Sequence, residues 1–502
     1  MNRMREMRQP LRPFQQWLQQ PQGRRLAAFA KAFAPQLVLA AILLIIFAAY
    51  APTLTIWFTD DDFTFLHGAQ TASAPWVWVK DSLDFRNPGP PEGFGFYRPL
   101  YQASFLGLYE LFGLEAWAYH LLSVSLHLIN VTLVWLIARK LTNRLLIAHG
   151  AALIFGLHPA YPTAVTWITA GNSVLATVAY LGSLWFFLKH LDGGPRRLWY
   201  YGASLFAFVV ALLFHPETLV LTALIVLAYG LLYARSLRDL LAIWPWLRLA
   251  PFVVTAIAYY RIQSWVRDHS LTQTISFGFG DWFDSNYVTN MALAIFPQNL
   301  DTTGEFIAAG VLVLISVIVA LAHTKPNKPY AAIFVGYWLF LWFLPLSTPL
   351  FGVHGRKLYS AGPALAIMVA MFGATLWDAR PRRLGGWATG PALVLVILLM
   401  SAAIWRGNAT RDDTRDDANR FGELVDQVRE AHPSLAPGTD LYIVNVPGRL
   451  LIFGGRSVAS AVQLYYDDVD VWAFRSETEL VQAVKLADDD VVVHYRDPLW
   501  PP

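Results

Sequence analysis

Thr59-Asp60-Asp61-Asp62-Phe63-Thr64-Phe65-Leu66 follows directly on an apolar run at 37–57. Crossing hydrocarbon takes about 20 apolar residues, so three carboxylates stand at the rim of a membrane. Charge there is costly, and neighbouring like charges raise one another's pKa. A catalytic base, a metal ion or a cationic partner would offset that cost; a solvated loop whose Asp caps a helix is the plain alternative. Adjacent carboxylates on a turn or helix diverge, so one can face a cavity while the next bonds backbone or a cation.

The rest of the chain fits that setting. Of 502 residues 56% are hydrophobic and only 15% charged, where soluble domains carry about 25% charged residues. The 20 Trp suit interfacial belts at helix ends. Apolar runs recur near 117–138, 145–160, 173–189, 199–215, 217–234, 246–264, 304–322, 330–347, 358–377 and 387–406. With the first, they predict an α-helical polytopic membrane protein of about 11 transmembrane helices. There is no cysteine, which excludes disulfides, zinc thiolates and thiol nucleophiles.

Charge sets the expected orientation. Arg3, Arg5, Arg8, Arg12, Arg24, Arg25 and Lys31 precede the first span against Glu6 alone, so 1–36 reads as a basic cytoplasmic segment followed by an uncleaved signal-anchor. Arg139, Lys140, Arg144, Lys189, Arg196, Arg197, Arg235, Arg238, Lys325, Lys328, Arg380, Arg382 and Arg383 fall on that same side if 287–297 is a re-entrant or interfacial helix. The Asp triplet, the loop 58–116 and the tail 407–502 are then outside. The tail holds nine Lys/Arg against 17 Asp/Glu, which argues against nucleic acid as a partner. It reads as a small C-terminal extracytoplasmic α/β domain. A helix at 408–430 puts Ala418, Phe421, Leu424, Val425 and Val428 on one stripe, strands are expected at 440–446, 469–474 and 490–494, and a helix at 477–486. In the first loop a Pro/Gly stretch at 87–95 leads to Tyr97-Arg98-Pro99-Leu100 and a surface helix at 100–115.

Further constellations carry chemistry. Pro99 favours a helix start, so Arg98 sits at a helix N-terminus where dipole and guanidinium both favour an anion such as a lipid phosphate, or else snorkels to the headgroups. His354-Gly355-Arg356-Lys357 places a cationic pair on the outer side, against the usual bias; Arg356 offers a bidentate fork and Lys357 a point charge for phosphate. His158-Pro159 and His215-Pro216-Glu217 mark helix ends, where a membrane acid lines a cavity and His158 or His215 could bond sugar hydroxyls or phosphate, or simply anchor a terminus. His120 and His127, two turns apart, lack the spacing of a metal pair and read as packed.

Together these residues resemble the GT-C class of polytopic glycosyltransferases, which take a sugar from a polyprenyl-phosphate carrier. Within it, 58–230 looks like the membrane part of the protein O-mannosyltransferases with tetratricopeptide repeats and their bacterial relatives. The likeness rests on Asp61-Asp62-Phe63, Tyr97-Arg98-Pro99-Leu100, Ala118-Tyr119-His120-Leu121 through His127-Leu128, and His158-Pro159 with Ala164-Val165 and Gly171. Glu217-Thr218 sits where the family has Lys-Glu-Thr, with Pro216 in place of the Lys. Arg356-Lys357-Leu358-Tyr359 is similar to an Arg-Tyr-Leu-Tyr stretch before a late span. The pattern in 407–502 differs from a repeat array.

The resemblance implies a GT-C-like membrane domain over 37–406 and inverting transfer of a sugar from a polyprenyl-phosphate donor to a hydroxyl of a protein, lipid or glycan acceptor, on the outer face of a bilayer, a bacterial inner or plasma membrane. Asp61 or its neighbour Asp62, with Asp60, would be the catalytic carboxylates. Arg356, Lys357, Arg98 and His354 would hold the donor phosphate, and Glu217, His215 and His158 would line the cavity. Many members of the class work without a metal, and the resemblance fixes no cofactor; if a divalent ion is used, Asp60, Asp61 and Asp62 are the donor set for Mg2+ or Mn2+. A flippase for lipid-linked sugars would need inverted repeats and midplane charges; a glycan polymerase or ligase would lean on Arg356 and His354 rather than Asp61; a scaffold would need none of them.

Overall fold

The computed structural model describes residues 21–72, 74–86, 96–234, 236–269, 285–295, 302–322, 329–346, 355–379, 389–451, 455–487 and 490–497. Most of it is helix. The long apolar runs become α1 (Pro21–Tyr50), then, past the first loop, α5 (Ala116–Thr142), α6 (Leu145–Leu157), α8 (Asn172–Leu191), α9 (Arg197–Phe214) and α10 (Val220–Leu232). They are followed by α12 (Ile243–Asp268), α14 (Thr302–Ala322), α15 (Pro329–Leu346) and α16 (Gly362–Ala379). Short helices fill the turns: α7 (Pro162–Thr166), α11 (Leu237–Leu241) and α13 (Ser285–Ile295).

Among the described residues six helices are long and apolar enough to cross a membrane: Phe33–Thr55, Ala116–Thr142, Thr169–Leu191, Arg197–Phe214, Thr303–Ala322 and Gly362–Ala379. The expected count of about 11 is not reached on that criterion. The runs near 145–160, 217–234 and 330–347 appear as the shorter apolar helices Leu145–Leu157, Pro216–Leu232 and Tyr330–Leu344. Thirteen residues of helix rise about 20 Å, less than a bilayer core of about 30 Å, so the first of these needs its neighbours to complete a crossing. The stretch expected to be re-entrant or interfacial is α13, 11 residues long and far too short to span.

Close backbone approach knits the bundle. A Cβ on Gly156 would lie 2.1 Å from the Ile46 side chain, and one on Gly362 2.3 Å from the Tyr161 hydroxyl. Both positions therefore demand glycine if α1 is to rest on α6 and α16 on Tyr161. A buried polar network crosses the same region. The Tyr359 hydroxyl donates to His127 Nδ1 at 2.6 Å and accepts from Asn130 at 3.2 Å, while His127 Nε2 bonds the Gly156 carbonyl at 3.1 Å. His120 bonds the Ile56 carbonyl at 3.0 Å. Both histidines are packed and hydrogen-bonded, as their spacing predicts.

The first loop is itself helical. A 3-10 turn at Ala51–Thr55 leads into α2 (Asp62–Gln70), α3 (Pro75–Leu83) and α4 (Pro99–Phe112). Helix α4 matches the expected surface helix: Tyr101, Phe105 and Leu106 are buried while Leu111 and Phe112 are exposed. The Pro/Gly stretch 87–95 lies outside the described residues.

After the bundle, one helix, α17 (Thr389–Ala431), runs without a break across position 407. It leads into β1 (Thr439–Val444), α18 (Arg456–Gln463), β2 (Val469–Ala473), α19 (Glu477–Ala483) and β3 (Val491–His494). The three strands form a parallel sheet of order β2-β1-β3, with Leu441 opposite both Val471 and Val491. All five residues of the expected apolar stripe, Ala418, Phe421, Leu424, Val425 and Val428, are buried. Phe421, Leu424, Val425 and Val428 join Phe58, Phe63 and Phe65 of the first loop and Leu441 and Ile443 of β1 in one core. The acidic tail therefore packs directly on the segment that carries the Asp triplet.

Candidate active site

The triplet sits on the turn that starts α2, and its carboxylates diverge. Asp62, buried in the first turn, accepts the Thr59 amide at 3.1 Å on Oδ2, and the Thr169 amide at 2.8 Å and Thr169 hydroxyl at 2.7 Å on Oδ1. Asp61 occupies the N-cap position, yet its carboxylate makes no cap bond. It accepts from the Thr169 hydroxyl instead. The plain helix-cap reading thus fails for Asp61. Asp60 holds a left-handed backbone, φ 50°, which costs a non-glycine residue about 1–3 kcal/mol.

Cations converge from elsewhere in the chain. A 3-10 turn at Gly355–Tyr359, pinned by the Tyr359 network, presents Arg356 with its guanidinium 4.2 Å from the Trp167 ring centroid. Asp60 and Asp61 lie within electrostatic reach of it. Arg98, at the N-cap of α4, lies 4.3 Å over the Phe96 ring, and its buried Nε meets no acceptor among the described residues. Its backbone is held by Tyr97, whose amide donates to Gln263 at 3.0 Å and whose carbonyl accepts from Tyr259 at 2.8 Å. Arg98 feels Glu217 and Asp61; Lys357 feels Glu217 and Arg356. His215 Nδ1 lies 3.4 Å from the Glu217 amide and 3.6 Å from its carboxylate. Glu217, His215, Arg98 and Lys357 thus adjoin the Asp60–Asp61–Arg356 group.

Burial dominates the electrostatics. It pushes Asp60 up to about 7, helped by the negative charges of Asp61 and Asp417 and opposed by Arg356 and Arg449. Asp61 is raised by burial against the Thr169 bond and the Arg356 charge, and Asp62 is raised by burial and by Asp61. Burial lowers Arg356, Arg98 and Lys357. Raised carboxylates beside destabilised cations, largely shielded from water, are what a proton acceptor and an anion-binding group need.

His158 is not part of this gathering in any direct way. Its Nδ1 accepts the Ala160 amide at 3.3 Å and its Nε2 meets the Ala294 carbonyl at 3.0 Å, so both ring nitrogens serve backbone. His354 lies outside the described residues. The donor set for Mg2+ or Mn2+ does not assemble: Asp62 is committed to Thr59 and Thr169, and among the described residues no three acid or histidine side chains are grouped to hold a metal ion.

Trp167 and Thr169 were not singled out from sequence. Thr169 is the hub, donating to Asp61 and Asp62 and accepting the Tyr101 hydroxyl at 2.5 Å. Neither residue is ionisable; their only signal is position, between His158-Pro159 and Gly171 within the family-like stretch.

The chain shares the fold of a membrane oligosaccharyltransferase: it superposes on the crystal structure of the Archaeoglobus fulgidus enzyme tethered to an acceptor peptide with a TM-score of 0.52 and 12% identity, covering 89% of this chain and 64% of that one. No family model matches the chain. Its sequence relatives narrow the likeness to protein O-mannosyl-transferases, as the motifs imply. Protein O-mannosyl-transferase Tmtc2 of Drosophila melanogaster is 31% identical over 190 residues, 36% of this chain and 20% of the relative. Human Protein O-mannosyl-transferase TMTC2 is 33% identical over 105 residues, 20% of this chain and 13% of the relative. The likeness thus spans a fifth or less of these curated relatives.

Proposed function

We propose that this protein is an inverting glycosyltransferase that moves a sugar from a polyprenyl-phosphate donor to an acceptor hydroxyl on the extracytoplasmic face of a membrane. The observation that carries this reading is the meeting of Asp60 and Asp61 with Arg356, whose guanidinium packs on the Trp167 ring, with Arg98, Lys357 and Glu217 adjoining. Fold and sequence likeness to glycosyltransferases support it.

Asp61 is the general base. Its neighbour Asp62 is occupied by the Thr59 and Thr169 amides and holds the loop, leaving Asp61 as the carboxylate that faces Arg356. Asp61 takes the proton of the acceptor hydroxyl as that oxygen bonds to the anomeric carbon. The bond from that carbon to the phosphate oxygen breaks on the opposite side, which inverts configuration. The electron pair leaves on the polyprenyl phosphate, whose growing charge is met by Arg356 and Lys357, with Arg98 and its unsatisfied Nε beside them. A well-placed base gives roughly 10²–10⁴-fold. The prenyl tail lies along the apolar helices, so no soluble nucleotide is needed.

The test is transfer of labelled hexose from a polyprenyl-phosphate sugar by protein in liposomes; the relatives' name makes mannose and a Ser/Thr peptide the first pair to supply. Inverted product and a loss of about 10²–10³-fold in Arg356→Ala are expected. Retained configuration, or undiminished transfer in that variant, would contradict the reading.

A further inference from the structure

The acidic C-terminal part of the chain, which the mechanism above does not use, packs on the loop that carries the Asp triplet. Helix α17 lies against the first loop over two turns. Arg415 donates to the Pro52 carbonyl at 3.2 Å, the Phe421 ring packs tilted on Phe63 with centroids 4.9 Å apart, and a Cβ on Gly422 would touch the Trp57 ring at 3.6 Å. Asp417 sits between these contacts, one turn before Phe421 on the same face. The Leu464 carbonyl accepts from Gln70 at 3.1 Å, fixing the sheet segment to α2.

Asp417 is itself held from two sides. Arg449, in the turn after β1, pairs with it at 2.5 Å, and Arg420 approaches at 3.5 Å while binding Asp497 at 3.2 Å. The Asp417 side chain is only 22% exposed. Four charged groups bear on Asp60: Asp61 beside it, Arg356 from the 3-10 turn, Asp417 from α17 and Arg449 from the turn after β1. Two of the four come from beyond residue 407.

We propose that the C-terminal segment completes the catalytic centre, with Asp417 and its ion-pair partner Arg449 acting as positioning residues that set the charge of Asp60 from the docked face of α17. This rests on the reading of the Asp60–Asp61 pair as the acid–base centre of glycosyl transfer. The two carboxylates titrate as a pair, so the acid limb of the pH–rate profile reports both. Asp417 disfavours negative charge on Asp60, and Arg449 favours it.

The experiment is the pH dependence of sugar transfer by the full-length protein in liposomes. Asp417→Asn removes a negative neighbour and frees Arg449, so the acid limb should move to lower pH. Arg449→Gln exposes Asp417 and should move it to higher pH, each by about half to one unit. The double variant should lie between. Arg449 is half exposed in a turn, so its variant remains informative if Asp417→Asn does not fold. Limbs that stay with the wild type, or move in the same direction, overturn the proposal. Asp61→Asn run alongside separates the failures: if it abolishes transfer while the limbs stay put, only the role of Asp417 and Arg449 falls; if it transfers normally, the base assignment falls.

Discussion

Thr169 and Asp62, 107 residues apart in the chain, are joined twice: the amide of Thr169 donates to Asp62 Oδ1 at 2.8 Å and its hydroxyl to the same oxygen at 2.7 Å. The hydroxyl also reaches Asp61. It has one proton, so it cannot serve both carboxylates at once. Two adjacent, identical side chains therefore do different work: Asp62 ties the first loop to the stretch before α8, and Asp61 is left facing a guanidinium.

This division predicts opposite behaviour for the two substitutions. Asp62→Ala leaves the Thr59 and Thr169 amides without their acceptor and should cost about 2–4 kcal/mol of stability. Asp61→Asn should melt no lower than wild type, because burial already penalises its charge. Thermal unfolding in detergent reads both; equal melting of Asp62→Ala and wild type would remove the structural role.

Asp60 has a pH signature. Its pKa rises from 3.8 to about 7 in the folded protein. The native state thus holds the proton more tightly, and the stability this confers is complete below about pH 4 and lost as pH rises through about 7. Asn keeps the left-handed backbone acceptable and carries no charge. Asp60→Asn should gain melting temperature over wild type at pH 8, with the gain shrinking toward pH 5. A difference independent of pH would contradict this.

Tyr359→Phe removes a donor to His127 and an acceptor for Asn130, both fully buried. A loss of about 1–3 kcal/mol follows. Arg356 shares the 3-10 turn with Tyr359, so donor KM should rise as well. Melting and steady-state transfer check the two effects; a stability loss with unchanged KM would show that the turn does not transmit it.

The orientation can be tested because the chain has no cysteine. A single Ser476→Cys in the turn before α19 should react with an impermeant maleimide in intact cells. Asp192→Cys, just after α8, should react only after permeabilisation. The reverse pattern would place the C-terminal sheet, and the Asp triplet packed against its helix, on the cytoplasmic side.

Much of this was legible from residue order. The apolar runs, the surface helix α4, the buried stripe on α17 and the strands follow from periodicity, which reports burial directly. The divergence of the triplet followed from chain geometry. Span count was less legible, because composition does not say where a helix stops: the run near 145–160 ends at Leu157 before a His-Pro turn. Thr169 and Trp167 stayed hidden because their work is to accept, donate and stack, which leaves no charge pattern in sequence. Nor does periodicity report the docking of α17 onto the first loop, where Arg415 meets Pro52 and Phe421 meets Phe63 across more than 350 residues of chain.

The most direct measurement is single-turnover transfer from a polyprenyl-phosphate sugar by Asp61→Asn in liposomes, with donor binding followed in parallel. A rate lower by about 10²–10⁴-fold with donor still bound is the predicted result. Transfer at the wild-type rate would contradict Asp61 as the base, and with it the site described here.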